Sequence, residues 1–121
     1  MATILIVDDQ PNLQELLSQE LMDEGHRVKS VTNAETAKGY IRDARPDLVL
    51  LDLYLNGFDG WDVLRDIKNR HPSLPVLIVT AYDSCVHDPR VSEADGYVIK
   101  SFMALGGLKK MISEVLERNF L

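Results

Sequence analysis

The chain has 121 residues, a length that suits one domain with a single hydrophobic core. Its 13 basic and 19 acidic residues give a net charge of −6, which argues against nucleic acid or an anionic membrane as a direct partner. Cys85 is the only cysteine, which excludes an intrachain disulfide, and no apolar stretch resembles a membrane span or a signal peptide. We therefore expect a cytoplasmic protein.

Five short apolar runs along the chain predict β-strands. The runs Ile4–Val7, Leu48–Leu53 and Val76–Val79 are almost continuous in Ile, Leu and Val, as in strands buried on both faces of a parallel sheet. The run Val28–Val31 contains polar residues, which favour a position at the sheet edge. The run Tyr97–Ile99 is the last of the five.

Helical spacing of apolar residues separates these runs. Capping residues and prolines mark the ends of the first three predicted helices, namely Pro11 and Gly25, Asn33 and Pro46, and Asp59 and Pro72. The segment 83–95 has Pro89 in its middle and few apolar positions at helical spacing, so it predicts only a short or broken helix. A last helix carries Leu108, Ile112 and Val115 on one face.

Strand and helix alternate throughout, which is typical of a doubly wound α/β fold with one parallel sheet. Right-handed crossovers bring the carboxyl ends of the strands to one edge, where ligands of such folds bind. No linker, repeat or low-complexity segment interrupts the alternation. Residues 1–121 are therefore predicted to form a single domain.

Side chains with useful chemistry come at the ends of four predicted strands: Asp8 and Asp9, Asp52, Thr80, and Lys100. Each of them alone has an ordinary explanation as a cap, a turn, a strand residue or a solvated charge. Together they predict one pocket, in which two carboxylates about 4 Å apart repel by about 4 kcal/mol at an effective dielectric of about 20. Such a cluster favours a cation, and oxygen ligands suit Mg²⁺ or Mn²⁺. Asp52 could then attack phosphorus while Lys100 neutralises the incoming phosphoryl group.

Four stretches of the sequence resemble those of a known family: Ile4–Asp9, Arg45–Asp52, Thr80-Ala81 and Tyr97–Lys100. With them, essentially the whole chain resembles the receiver (CheY-like) domain of bacterial two-component response regulators. From the end of the printed sequence after the last helix we expect a stand-alone receiver, similar to those of chemotaxis and sporulation relays. The resemblance implies a (βα)5 flavodoxin-like fold, with a doubly wound parallel five-stranded sheet of strand order 2-1-3-4-5.

The resemblance also implies a metal site and a phosphoacceptor. Asp8, Asp9 and Asp52 would hold Mg²⁺, with the backbone carbonyl of Tyr54 as a further ligand. Asp52 would accept a phosphoryl group from a phosphohistidine of a sensor histidine kinase or of a histidine phosphotransfer protein. The chain would assist its own phosphorylation and dephosphorylation without being a conventional turnover enzyme.

Further residues have implied roles in binding the phosphoryl group and in reporting it. Lys100, the Thr80 hydroxyl and the Ala81 N–H would bind the phosphoryl oxygens. Thr80 and Tyr97 would form the switch pair, in which the hydroxyl moves towards the phosphate and the aromatic ring follows inward. The downstream protein target is not indicated by the sequence.

The chain departs from the family pattern in three places. Ser101 follows Lys100 where receivers usually carry a proline after a cis peptide; without proline a cis bond costs roughly 2.5–4 kcal/mol, which favours trans. Asn56, followed by glycine, stands where proline is usual and predicts a tight turn. The interval from Thr80 to Lys100 is shorter than in typical receivers, so the usual partner-binding face is altered.

Three other functions are alternatives to the phosphoacceptor. A receiver fold could act as a phosphorylation-independent interaction module, but such receivers usually lose an acidic residue or the lysine. A phosphatase with an aspartyl intermediate would need a second acid at position 54, which is Tyr54. A dinucleotide-binding enzyme would need a glycine-rich first turn, which residues 8–11 do not offer.

Overall fold

A computed structural model describes residues 2–9, 11–55, 58–80, 87–99 and 105–120. The strands are β1 Thr3–Val7, β2 Arg27–Val31, β3 Leu48–Leu51, β4 Tyr54–Leu55, β5 Phe58–Asp59, β6 Val76–Thr80 and β7 Gly96–Ile99. The helices are α1 Pro11–Asp23, α2 Ala34–Ala44, α3 Gly60–Arg70 and α4 Leu105–Phe120, with a 3₁₀ helix at Pro89–Glu93. No helix of the described residues combines the length and apolarity needed to cross a membrane.

Five parallel strands form the central sheet in the order β2-β1-β3-β6-β7. Without β4 and β5 this is the order 2-1-3-4-5, so the predicted doubly wound fold is confirmed. β2 lies at one edge of the sheet, as its polar residues indicated. β3 ends at Leu51, earlier than the apolar run Leu48–Leu53 suggested, and Asp52 is the first residue after the strand.

A small antiparallel pair, β4 with β5, was not predicted from the sequence. Leu55 pairs with Phe58, so residues 56–57 connect the two strands. The tight turn predicted at Asn56 falls on those two residues, which lie outside the described part of the chain. The pair connects the residues after Asp52 with the start of α3.

Alternating side chains of the sheet face two apolar cores. The α2–α3 core contains side chains of these helices together with Leu5, Val7, Val49, Leu51, Val76, Ile78 and Ile99. The α1–α4 core contains the side chains that point the other way, among them Ile4, Ile6, Leu48, Leu50, Leu77, Val79 and Val98. The sheet is therefore covered on both faces, which explains its nearly continuous apolar strands.

Both predicted N-caps are present. The Asn33 side chain accepts a hydrogen bond from the Thr36 N–H at 2.8 Å, and the Asp59 side chain accepts one from the Trp61 N–H at 2.9 Å. Of the segment 83–95, residues 87–95 are described and contain the five-residue 3₁₀ helix, so the predicted short helix is confirmed there. Pro89 stands at its start, where a missing N–H costs nothing.

Two aspartates form hydrogen bonds to the backbone at the amino-terminal edge of the sheet in the same way. The Asp47 carboxylate accepts the Thr3 N–H at 2.8 Å, and the Asp47 N–H donates to the Thr3 carbonyl at 2.7 Å. The Asp95 carboxylate accepts the Val76 N–H at 2.7 Å, and the Asp95 N–H donates to the Val76 carbonyl at 2.8 Å. Each aspartate thus continues a strand pair by one residue, and it satisfies both the N–H and the carbonyl of the residue opposite.

Replacing Asp95 tests how much this arrangement stabilises the sheet. In Asp95→Ala the N–H of the buried Val76 loses its acceptor and Lys68 loses the carboxylate 2.9 Å from its ammonium. A buried donor left without a partner costs about 1–3 kcal/mol, so we expect a fall of that size in the free energy of unfolding, measured in urea.

Asp43→Ala is the matched control. Asp43 also pairs with a neighbouring cation, Arg42, but both side chains are largely exposed. Solvent screening makes such pairs nearly neutral for stability, so this variant should unfold like the wild type. Equal effects of the two substitutions would contradict a specific role for Asp95.

Candidate metal centre

Strand register brings the predicted site residues to one edge of the sheet. Val7 of β1 pairs with Leu51 of β3, so Asp8 and Asp52 each come directly after neighbouring strands. The Asp8 N–H donates to the Val31 carbonyl at 3.1 Å, and the Asp52 N–H donates to the Val7 carbonyl at 2.9 Å. These bonds extend the sheet by one residue and hold both backbones at its carboxyl edge.

Asp8, Asp9 and Asp52 each contribute a carboxylate oxygen to one cluster, in which these oxygens all lie within 4.8 Å of one another. Asp8 and Asp52 are buried, with 4% and 6% of their surface exposed, and Asp9 is half-buried. At that separation each pair of charges repels by about 3–4 kcal/mol at an effective dielectric of about 20. All the candidate ligands are carboxylate oxygens, and two of the three aspartates are buried. Such oxygen ligands fit a hard cation such as Mg²⁺.

Thr80 and Tyr97 lie on the two strands that complete the site edge. Thr80 ends β6, is fully buried, and pairs with Ile99 of β7. Tyr97 lies two residues before Ile99, so Tyr97 and Ile99 share a face of the sheet. The Tyr97 side chain is 42% exposed. The Tyr97 side chain is therefore partly exposed to solvent, while Thr80 is buried.

The remaining predicted site residues are described only in part or not at all. The backbone of Tyr54 belongs to β4 and lies two residues after Asp52 along the chain. Ala81 and Lys100 lie outside the described residues. They follow Thr80 and Ile99, respectively, which are paired neighbours in the sheet. The Lys100-Ser101 peptide is outside the described residues as well.

Gly60 is a site residue that the sequence analysis missed. Its N–H donates to the Leu53 carbonyl at 2.8 Å. A Cβ added at Gly60 would lie 2.4 Å from the Leu53 Cα and 2.6 Å from the Asp52 and Leu53 carbonyl oxygens. Only glycine allows α3 to start this close to the Asp52 backbone. A glycine directly after an N-cap aspartate was the available signal.

A second missed contact involves Gln14 of α1. Its side chain is buried, and its Nε2 donates to the Val31 carbonyl at 2.8 Å. The same carbonyl accepts the Asp8 N–H. Gln14 therefore ties α1 to the end of β2 and to the backbone of the carboxylate cluster.

A sequence model of the response regulator receiver domain matches residues 4–113. The chain belongs to this family. Receiver domains are signalling switches rather than conventional enzymes, and the fold and the acidic cluster of this receiver agree with that assignment.

Solved receivers superimpose closely on this one. The response regulator TrrA from Thermotoga maritima, solved in complex with Mg²⁺ and BeF, is 35% identical with a TM-score of 0.88, and the match covers 94% of this chain and 98% of that one. A CheY-like receiver domain protein from Methanospirillum hungatei is 26% identical with a TM-score of 0.91, and the match covers 98% and 96% of the two chains.

Curated relatives are longer proteins. The probable transcriptional regulatory protein TcrX of Mycobacterium tuberculosis is 38% identical over 104 residues, which are 83% of this chain and 44% of TcrX. The regulator PhoP of Salmonella typhimurium is 36% identical over 84% of this chain and 46% of its own length. The receiver thus spans less than half the length of these relatives.

Substituting Gly60 tests its role in placing Asp52. In Gly60→Ala the new methyl group meets only backbone atoms, so either the start of α3 or residues 52–53 must shift. Overpacking of this kind costs about 1–3 kcal/mol, which urea unfolding should detect. A displaced Asp52 should also weaken Mg²⁺ binding, measured by calorimetry.

Gly39→Ala in the middle of α2 is the control. The nearest atom to its added Cβ is a flexible Arg42 nitrogen at 4.0 Å. Alanine is a better helix former than glycine, so the free energy of unfolding of this variant should rise by about 1 kcal/mol. Its affinity for Mg²⁺ should equal that of the wild type. Stabilisation of both variants would contradict the close approach at Gly60.

Proposed function

We propose that this receiver is a phosphoacceptor switch of a two-component system or phosphorelay, with Asp52 as the phosphorylated residue. The observation that carries the proposal is the cluster of Asp8, Asp9 and Asp52 at the carboxyl edge of the sheet, which also holds the buried Thr80. A cation bound among these oxygens would be held by several negative charges and would in turn attract a phosphoryl group. The TrrA complex with Mg²⁺ and BeF supports the same reading by similarity.

The proposed reaction transfers a phosphoryl group from a histidine nitrogen to an Asp52 oxygen. The phosphorus–oxygen bond forms as the phosphorus–nitrogen bond breaks, and the imidazole leaves with the electron pair of that bond and takes up a proton. Bound Mg²⁺, held by Asp8, Asp9, Asp52 and the Tyr54 carbonyl, supplies positive charge that neutralises the phosphoryl oxygens. The donor is a sensor histidine kinase or a histidine phosphotransfer protein.

The other proposed roles rest on the likeness to receiver domains. Lys100, the Thr80 hydroxyl and the Ala81 N–H bind the phosphoryl oxygens, and the buried position of Thr80 supports its part. Tyr97 partners Thr80 as the switch residue. Its ring is 42% exposed, and in this proposal it moves inward when the Thr80 hydroxyl moves towards the phosphate.

A second candidate is an interaction module that works without phosphorylation. The observation that favours it concerns the segment between β6 and β7, whose described part contains a short 3₁₀ helix. A partner-binding face can change in this segment while the residues of the acidic cluster stay the same. Two of the relatives are named as transcriptional regulatory proteins. The prediction that the chain has no nucleic-acid partner is therefore not supported. The acid cluster makes the phosphoacceptor the stronger proposal.

Intact-mass measurement after incubation with Mg²⁺ and acetyl phosphate tests the phosphoacceptor proposal. We expect the wild type to gain the mass of one phosphoryl group and Asp52→Asn to gain none, because the amide is a poor nucleophile. Thr80→Ala should be labelled more slowly, since one donor to the phosphoryl oxygens is lost. A wild type that stays unlabelled while another receiver is labelled in parallel would favour the interaction module.

Thermal unfolding with and without Mg²⁺ tests the metal site independently of phosphorylation. A ligand that binds only the folded state stabilises it by about 2.7 kcal/mol at a concentration of about 100 times Kd. We expect Asp9→Asn to lose most of this gain because it removes one oxygen ligand. Asp23→Asn, an exposed carboxylate of α1 outside the cluster, should keep the full gain. Equal gains in both variants would place the cation elsewhere.

A further inference from the structure

Gln14 is a polar residue at a core position of α1. It lies about one helical turn before Leu17 and two turns before Leu21, and all three side chains are buried. The two leucines belong to the α1–α4 core, so an apolar residue would also suit position 14. A buried amide costs stability unless it is hydrogen-bonded, so the bond that it makes indicates its role.

The buried polar side chains of the described residues are those of Asp8, Asp52, Thr80 and Gln14. The first three follow or end strands of the central sheet and belong to the proposed site. Gln14 is the fourth, with 7% of its surface exposed, and it lies on the helix that follows Asp8 and Asp9 along the chain. Its hydrogen bond connects it to the same site.

One backbone oxygen binds both ends of the segment that carries Asp9. The Val31 carbonyl accepts the Asp8 N–H at 3.1 Å and the Gln14 Nε2 at 2.8 Å. A carbonyl oxygen has two lone pairs, so both donors can bind it at the same time. The segment 8–14 therefore begins and ends at this oxygen, and it contributes two of the three clustered carboxylates, those of Asp8 and Asp9.

The Val31 carbonyl belongs to the strand at the edge of the central sheet. Val31 ends β2, and β2 has a neighbouring strand on one side, which is β1. Asp52 differs in this respect, because its N–H binds the Val7 carbonyl of β1, a strand with neighbours on both sides. The backbone acceptor of Asp8 is thus held by fewer strands than that of Asp52. Gln14 adds support to this acceptor from α1.

We propose that Gln14 is a positioning residue of the Mg²⁺ site, which fixes the Val31 carbonyl and, through it, the backbone of Asp8. The inference rests on the proposed function, since it concerns the metal site of the phosphoacceptor. Carboxylates that repel one another bind a cation more tightly when their backbones are already held in the binding geometry, because less order has to be gained on binding.

The size of the effect follows from the distance at which Gln14 acts. Loss of a group that bonds a metal ligand directly weakens metal binding by about 10- to 100-fold. Gln14 bonds a backbone carbonyl instead of a ligand oxygen, so its effect should lie at or below the lower end of that range. We expect a factor of about three to ten.

Gln14→Met removes the donor and keeps a side chain of similar length and volume in the core. Mg²⁺ alone is the probe, and calorimetry is carried out at a temperature at which wild type and variant are both folded. We expect the Kd for Mg²⁺ to rise about three- to tenfold in the variant. Methionine suits an apolar core, so the variant should fold, which urea unfolding checks.

Ser18→Ala is the matched control. The Ser18 hydroxyl lies 3.0 Å from the Ser30 hydroxyl, so this pair also joins α1 to β2, one residue before Val31. The variant should bind Mg²⁺ like the wild type. A rise in Kd equal to that of Gln14→Met would mean that the general docking of α1 on β2 sets the affinity, and it would overturn the specific role of Gln14.

Hydrogen exchange of backbone amides, followed by NMR without Mg²⁺, measures the positioning directly. In Gln14→Met the Asp8 N–H should exchange several-fold faster, because its acceptor has lost the support from α1. The Asp52 N–H, which binds the Val7 carbonyl, is the internal reference and should exchange as in the wild type. A merely structural role of Gln14 would affect both amides alike, and that result would contradict the proposal.

The outcomes separate the role of Gln14 from the function on which it rests. If the wild type binds Mg²⁺ and Gln14→Met binds it equally well, the positioning role is wrong and the metal site stands. If the wild type neither binds Mg²⁺ nor is labelled by acetyl phosphate, both proposals fail.

Discussion

The carboxylates of Asp8, Asp9 and Asp52 repel one another, and the surrounding structure must hold them together against this repulsion. Oxygens within 4.8 Å of one another at a largely buried position would separate if their backbones could move. They are held because the backbones of Asp8 and Asp52 each continue a sheet bond beyond their own strands. The sheet thus supplies the rigidity that a charge cluster needs in order to hold a cation tightly.

Rigidity at the site is built from contacts that reach it from every side. Gln14 binds the carbonyl that also accepts the Asp8 N–H, Gly60 brings the start of α3 against the Asp52 backbone, and the apolar cores cover both faces of the sheet. On the far side of α3 lies the short 3₁₀ helix, which packs the partly buried Val91 against the α2–α3 core.

The sequence predicted more of the site than of its surroundings. The cluster was predictable because parallel strands must end at a common edge, so acids after apolar runs converge whatever the details of the loops. The caps at Asn33 and Asp59 were predictable because a side-chain oxygen there satisfies a nearby backbone donor. The pair β4 and β5 was missed because strands of two residues carry no periodic signal. Gly60 was missed because a requirement for space is visible only once the neighbouring backbone is placed.

By itself the sequence determined the alternation of strands and helices, the burial of the sheet on both faces and the acids at its strand ends. These features follow from the local order of residues, and they are enough for the chain to resemble the receiver family. Only the tertiary structure decided that Asp47 and Asp95 make the same paired bonds, and that Arg90 lies over Trp61. Such contacts join residues far apart in the chain, so they depend on the register of the sheet and the docking of α3, which no local pattern encodes.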